Sequence, residues 1–268
     1  MIRSFFGLTE DPFNTKDLSL LPAQQDIHDA LCVHNSQGGF CLVMGLPGTG
    51  KSVIKDFLLD HLSPRQTLAV TIGRTLHTYT NTTRILCQAF NIEHSASSFT
   101  CEKKLIEEAH SLKRQGKNLV IIIDEAHWMD IDTLRRLRLM FEDFPKNHNV
   151  ILIGQPELLN NINLGVNQDI KSRVTYSVIT KRLNPDDMRA FILAELDRAR
   201  LGHNTFTEDA LELIARSADG ILRRARNLCL SSLLEAVRAR SKIIGLDAVN
   251  RVLIQPHWRK EQDMVNIY

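Results

Sequence analysis

Apolar positions fall into two rhythms along this chain. Five short runs rich in branched or apolar residues, at 40–44, 67–72, 119–123, 150–153 and 175–179, are continuous enough to read as buried strands. Between them, residues 52–62, 82–90, 102–115 and 132–144 place apolar side chains at helical spacing. The alternation predicts an α/β fold, a parallel five-stranded sheet with helices on both faces. Nothing after residue 179 reads as a strand. Asn184-Pro185-Asp186-Asp187 supplies a capping residue, a proline at the first helical position and acids in the first turn, so a helix starts there. Helical patterns follow at 185–200, 208–218, 222–240 and 247–253, separated by Gly202, Gly220 and Gly245. The expected organisation is an α/β domain over 1–182, a small all-helical domain over 183–254 and a tail over 255–268 without periodicity.

Bulk properties exclude several classes. The longest unbroken apolar runs, such as 119–123, are far below the roughly 20 residues that a membrane-spanning helix needs. The start turns acidic at Glu10 and Asp11 and lacks the apolar core of a secretory signal. A cytosolic protein without membrane contact is expected. The five cysteines stand singly, with no spacing that suggests zinc, and read as buried thiols. A net charge of +2 does not indicate a globally cationic nucleic-acid binder, which leaves local clusters to consider.

The chemistry concentrates where strands meet helices. Gly45-Leu46-Pro47-Gly48-Thr49-Gly50-Lys51-Ser52 fits G-x-x-x-x-G-K-[ST] and lies after a strand and before an amphipathic helix, the context that the phosphate loop requires. Its glycines let successive N–H groups turn inward toward phosphates, and the next helix adds its positive end. Gly45, Pro47, Gly48, Thr49, Gly50, Lys51 and Ser52 are therefore expected to cradle ATP. Lys51 would face the β and γ phosphates, and Ser52 would offer a hydroxyl to Mg²⁺. The strand at 119–123 ends in Asp124-Glu125, the arrangement of a Walker B motif. Asp124 would hold Mg²⁺ through water, and Glu125 would accept a proton from the attacking water. A parallel sheet brings both carboxylates to the edge that carries the phosphate loop.

Gln155 stands at the tip of the next strand, either as a sensor of the γ-phosphate and attacking water or as a helix cap beside Pro156. His127 and Trp128 are open to the same two readings, functional or structural, and the structural one is preferred. Arg173, ahead of the last strand, is the first candidate for an arginine finger entering a neighbouring subunit's site, with Lys171 second. Arg223 opens a helix after Gly220-Ile221-Leu222 and is the first candidate for a lid contact, with Arg224 and Arg226 competing.

These strings resemble the ExeA or general-secretion-pathway-A group of AAA+ ATPases, itself similar to transposon-encoded ATPases such as TniB, TnsC and MuB. The resemblance rests on Phe5-Phe6-Gly7-Leu8 with Asp11-Pro12-Phe13, the phosphate loop, Ile123-Asp124-Glu125-Ala126-His127, Leu152-Ile153-Gly154-Gln155-Pro156-Glu157-Leu158, and Gly220-Ile221-Leu222-Arg223 with Asn227-Leu228-Cys229. It departs at Leu222, where the group usually has proline. The resemblance implies an AAA+ P-loop NTPase fold with a helical lid, sensor and finger roles for Gln155, Arg173 and Arg223, and adenine contacts from residues 6–13, Phe13 among them. It also implies assembly of copies into a ring or filament. Secretion members continue into a membrane span and a cell-wall-binding region that this sequence does not show. The expectation is therefore an accessory ATPase of DNA transposition, assembling on duplex DNA with ATP and recruiting or activating a transposase. A secretion or assembly ATPase without DNA dependence is the alternative.

DNA contacts would come from cations and hydroxyls that meet phosphates without reading bases. Arg74 and Thr75, after the second strand, and Lys103 and Lys104, on the following helix, are the candidates, against the plainer reading of a solvent loop and a wet helix face. Arg135, Arg136 and Arg138 read as subunit contacts or wet surface, and the tail as a partner-protein contact. A nucleotide-switched regulator with little turnover conflicts with Glu125 and Arg173 both being present. A small-molecule kinase would want a lid inserted within the nucleotide domain.

Overall fold

The computed structural model describes residues 1–10, 12–13, 19–73, 78–93 and 97–258. The chain forms two compact units, Leu20–Thr180 and Met1–Ser19 together with Lys181–Tyr268. Helix α1 (Ile2–Phe6) opens the chain and belongs to the second of these.

The first unit runs α2 (Pro22–Gln37), β1 (Gly39–Met44), α3 (Lys51–His61), β2 (Thr67–Ile72), α4 (Tyr79–Ala89), α5 (Ser98–Arg114), β3 (Asn118–Ile123), α6 (Ile131–Glu142), β4 (Asn149–Gly154), α7 (Glu157–Asn163), α8 (Gln168–Lys171) and β5 (Tyr176–Ile179). The five strands make one sheet in the order β2-β3-β4-β1-β5, and every pairing is parallel. The expected parallel five-stranded sheet with helices is thus present.

Both faces of this sheet are buried, and the side chains alternate between them. Leu42, Met44, Leu119, Ile121, Ile123, Val150 and Leu152 point into one core with Leu86, Leu105, Leu137 and Met140 of the helices. Cys41, Val43, Val120, Ile122, Ile151 and Ile153 point into the other, against Ile27 and Leu31 of α2 and Ile54 and Leu58 of α3. A strand covered on both faces has no polar side to alternate with, which is why these segments read as unbroken apolar runs.

The helical unit holds α9 (Pro185–Arg198), α10 (Glu208–Ser217), α11 (Leu222–Arg238) and α12 (Leu246–Leu253), with α1 against α11. Two of its helices, α9 and α10, start on side-chain caps: Asn184 accepts the Asp187 N–H at 2.7 Å and Thr207 accepts the Ala210 N–H at 3.3 Å. Gly220 sits at φ 70, and a Cβ there would lie 2.6 Å from the Leu183 carbonyl oxygen, so the turn into α11 needs glycine. Inside the unit, the buried Glu195 of α9 takes Arg226 of α11 at 3.1 Å and Arg198 at 2.8 Å, charge matched on both sides.

The division at Thr180 and Lys181 lies next to the 182/183 boundary read from the sequence, but the first nineteen residues group with the helical unit and not with the sheet. The five-residue α1 buries nothing by itself and takes its support from α11. At the far end, Pro256–Trp258 forms one tight 3-10 turn, and the expected tail contacts at 259–268 lie outside the described residues. Among the described residues no helix is long and apolar enough to cross a membrane. All five cysteines are free thiols, four buried and Cys32 partly so. Burial pushes the Cys41 thiol up to about 12.

Candidate active site

Three adjacent strands, β1, β4 and β3, end on the same edge of the sheet, and each delivers one part of the site. Strand β1 runs straight into the phosphate loop. Gly48 and Gly50 hold left-handed backbone at φ 84 and φ 96, conformations that cost a side-chain-bearing residue but not glycine. Gly45 is required for space: a Cβ there would lie 1.8 Å from Thr180 Oγ1 at the end of β5. Thr180 Oγ1 also shares a 2.7 Å hydrogen bond with Thr49 Oγ1, and Thr49 Oγ1 donates to the Leu46 carbonyl at 2.8 Å. The Lys51 ammonium folds across the loop and donates to the carbonyls of Gly45 at 2.7 Å and Leu46 at 2.9 Å. Pro47 is exposed at the tip, and Ser52 is exposed in the first turn of α3. Gln24 of α2 braces the loop from behind, donating to the Thr49 carbonyl at 3.4 Å while its own oxygen accepts the Leu21 N–H at 3.0 Å.

Strand β3 ends in the acidic pair. Asp124 Oδ1 accepts the Glu125 N–H at 3.0 Å, and Oδ2 accepts from the Lys55 ammonium at 2.8 Å. Burial is the largest single influence on the Lys55 ammonium and pulls it down, but the bond to Asp124 together with the negative charges of Asp124 and Asp56 outweighs it and holds it above its ordinary value. Glu125 adopts left-handed backbone at φ 54, ψ 34, an uncommon conformation for glutamate and one that costs of order 1 kcal/mol or more. That turn sends its carboxylate outward, 46% exposed, and starts a single 3-10 turn at Ala126–Trp128.

Strand β4 ends at Gly154 and hands on Gln155. A Cβ on Gly154 would press within 3.2 Å of the His127 backbone nitrogen, so glycine lets the turn after β3 lie close against β4. Gln155 Nε2 lies 2.8 Å from His127 Nε2, and His127 Nδ1 lies 3.5 Å from Glu125 Oε2. The His127 ring thus stands between the two polar groups.

Lys51, Ser52, Asp124, Glu125 and Gln155 therefore share one sheet edge, at the crevice where strand order reverses around β1 and β4. Arg173 does not join them. It precedes β5 at the opposite edge, in an open cleft of about 410 Å³ with Arg138, Lys146 and His148, and is ion-paired to Glu142. Lys171 is exposed at the end of α8. In the helical unit, Phe13 has left-handed backbone at φ 61, and Arg223 is exposed in the first turn of α11. Its competitors are engaged, Arg224 near Asp219 at 3.9 Å and Arg226 with Glu195. Lys103 and Lys104 are exposed on α5, Lys103 3.9 Å from Glu107, while Arg74 and Thr75 lie outside the described residues. Arg136 is exposed and lies over the Tyr79 ring at 4.0 Å, whereas Arg138, with a side chain 14% exposed, pairs with Glu142 and Asp169.

Three residues that hold this edge together escaped the sequence reading: Gln24, Lys55 and Thr180. Of these, Lys55 had a signal, four residues after Lys51 and so on the same face of α3.

The Ser52 hydroxyl and Asp124 carboxylate are hard oxygen donors, as Mg²⁺ prefers. A cation, the Lys55 ammonium, already stands on Asp124, so the carboxylate's setting favours positive charge and the residues fit the ion.

Residues 33–162 match the AAA domain family model. The chain is 28% identical to general secretion pathway protein A of Aeromonas hydrophila across 92% of this chain and 47% of that protein, so it spans about half the length of the curated relative it matches. The fold is similar to that of the Aeropyrum pernix ORC2 protein in its ADPNP-ADP complexes, with a TM-score of 0.68 and 15% identity over 95% of this chain and 73% of that one. It is also similar to Aeropyrum pernix ORC1 in complex with DNA, with a TM-score of 0.66 and 18% identity over 87% and 65% of the two chains. Family match and fold agree with the geometry: residues 33–162 are similar to the AAA domain family, and the parallel sheet carries the P-loop AAA fold.

Proposed function

We propose that this protein hydrolyses ATP with Mg²⁺ and couples turnover to assembly of its copies on duplex DNA, where it recruits or activates a transposase. The observation that carries the catalytic half is the convergence of Lys51, Ser52, Asp124, Glu125 and Gln155 on one sheet edge. Lys51 would leave its own loop carbonyls to meet the β and γ phosphates, and the loop N–H groups would complete the cradle. Mg²⁺, held by Ser52 and Asp124, would neutralise phosphate charge. Glu125, exposed on its strained turn, would take a proton from water as that water attacks the γ-phosphorus, releasing phosphate and ADP.

Arg173 supports the assembly half. It lies at the far edge of the sheet from its own phosphate loop, so it completes a site only in another copy. Head-to-tail contacts of that kind close into rings or extend as filaments. Support for DNA comes from the resemblance to transposon-encoded ATPases and from the likeness to ORC1 in its DNA complex. Lys103 and Lys104 are the described candidates for phosphate contacts. A second reading, an assembly ATPase indifferent to DNA, is favoured by the match to general secretion pathway protein A over most of this chain.

ATP turnover by the purified protein with and without double-stranded DNA, across a salt series, tests the reading. Stimulation by DNA that weakens steeply with salt is expected. Glu125→Gln should keep nucleotide binding and lower turnover by at least about 100-fold. Turnover unaffected by DNA at every salt concentration would move the assignment to the second reading.

A further inference from the structure

Between Glu125 and Gln155 stands an imidazole whose side chain is almost fully enclosed. His127 is 7% exposed, and its Nδ1 is buried without a hydrogen-bond partner. Its Nε2 meets the Gln155 amide nitrogen at 2.8 Å. An amide nitrogen can only donate, so this contact is a hydrogen bond only when His127 Nε2 is the acceptor. That choice places the ring proton on Nδ1, aimed at Glu125 Oε2 across 3.5 Å. The gap exceeds a good hydrogen bond by about half an ångström. A buried donor that faces a carboxylate just out of reach has a strong reason to close when the turn shifts.

We propose that His127 is a positioning residue that couples Gln155 to Glu125: the contact Gln155 makes with the γ-phosphate or its water sets, through the imidazole, where the Glu125 carboxylate stands. The proposal rests on the ATP-hydrolysis reading of this edge.

Several features fit the coupling. One Gln155 N–H is committed to His127, and the second remains to meet a phosphate oxygen or water. Glu125 is held by a single left-handed residue at the end of β3, so a small change in that turn swings its carboxylate. Gly154 lets the His127 backbone approach β4 closely, so a shift of Gln155 passes directly to the ring. With ATP bound, Gln155 is drawn toward the γ-phosphate, the imidazole follows, and Nδ1–H closes on Glu125 to orient it toward the attacking water. With ADP bound, that pull is absent and the carboxylate stays outward.

Two measurements test this. The first is the nitrogen-15 spectrum of the histidine side chains in the whole protein, with His127 assigned by the signals lost in His127→Phe. The Nδ1–H tautomer is expected, and its Nδ1 signal should shift when a non-hydrolysable ATP analogue replaces ADP. An Nε2–H tautomer, or identical signals in both nucleotides, would overturn the proposal.

The second is turnover. A base displaced by about an ångström loses up to about 100-fold, so His127→Phe should lower kcat by about 10-fold to 100-fold while KM for ATP and the melting temperature stay near those of the parent. Gln155→Leu should cut kcat to a similar degree, and the double variant should be no slower than the slower single one, because both break the same link. Independent, multiplying losses, or an unchanged kcat in His127→Phe, would also refute it. If the parent protein fails to hydrolyse ATP at all, the functional reading falls, and the tautomer measurement still decides the coupling.

Discussion

If Asp124 holds Mg²⁺ as proposed, two cations compete for one carboxylate. Lys55 holds Oδ2 at 2.8 Å, so the charge is matched before any metal arrives. Removing that ammonium takes away a competitor and a repelling charge, both of which act in the direction of tighter metal binding. For a partly exposed pair the gain is of order 1 kcal/mol or less. Lys55→Met should therefore lower the Mg²⁺ concentration for half-maximal turnover by up to about fivefold. An increase would show that Lys55 supports the metal site and does not compete with it. At this scale the sequence disclosed the groups but not their partners. Lys51, Ser52, Asp124 and Glu125 could be found because the spacing of the phosphate loop and the acids after an apolar strand are local signals. Thr180 could not: it touches Gly45 only because β5 pairs with β1 across more than a hundred residues of chain.

Elements were legible in proportion to how their buried faces were composed. The central strands β1, β3 and β4 showed most plainly because both of their faces are apolar. Helix α2, sixteen residues long, did not show, because the face it buries is Gln24, Ile27, His28 and Leu31, half polar, and so carries no clean apolar period. Those polar positions do the structural work that hid them, Gln24 on the phosphate loop and His28 against the ring of Phe57 at 5.4 Å.

The segment between α6 and β4 has a comparable buried polar group with a pH consequence. His148 is held below its ordinary value by burial, opposed by the hydrogen bond from Nδ1 to the Pro145 carbonyl. In the unfolded chain the same imidazole titrates near 6.5. As pH falls through that value the unfolded state binds the proton more readily, so this contribution to stability is complete above about pH 7 and declines below about pH 6.5. Urea midpoints of His148→Phe and the parent, compared at pH 7.5 and pH 5.5, should show a smaller acid loss in the variant. An equal loss in both would place the acid sensitivity elsewhere.

Across the whole molecule, the separation of Glu125 from Arg173 is the informative feature. Glu125 stands at the carboxyl edge of the sheet and Arg173 at the amino edge, held by Glu142 in a cleft with Arg138. No motif spacing discloses which edge an arginine occupies, since that depends on strand direction and order, which only the paired sheet defines. If Arg173 serves a neighbouring copy, each site takes its base from one subunit and its arginine from the next. The direct test mixes two variants, Glu125→Gln and Arg173→Ala, each expected to bind ATP and to turn it over at least about 100-fold more slowly than the parent. In mixed assemblies an Arg173→Ala subunit still has its Glu125 and can receive Arg173 from a Glu125→Gln neighbour, so complete sites form again. Equimolar mixing should restore a substantial fraction of parental turnover, up to about a quarter for random head-to-tail assembly. Turnover that stays at the level of the separate variants, although the two are shown to co-assemble, would contradict a shared site and with it the account of this protein as an ATPase that works through assembly.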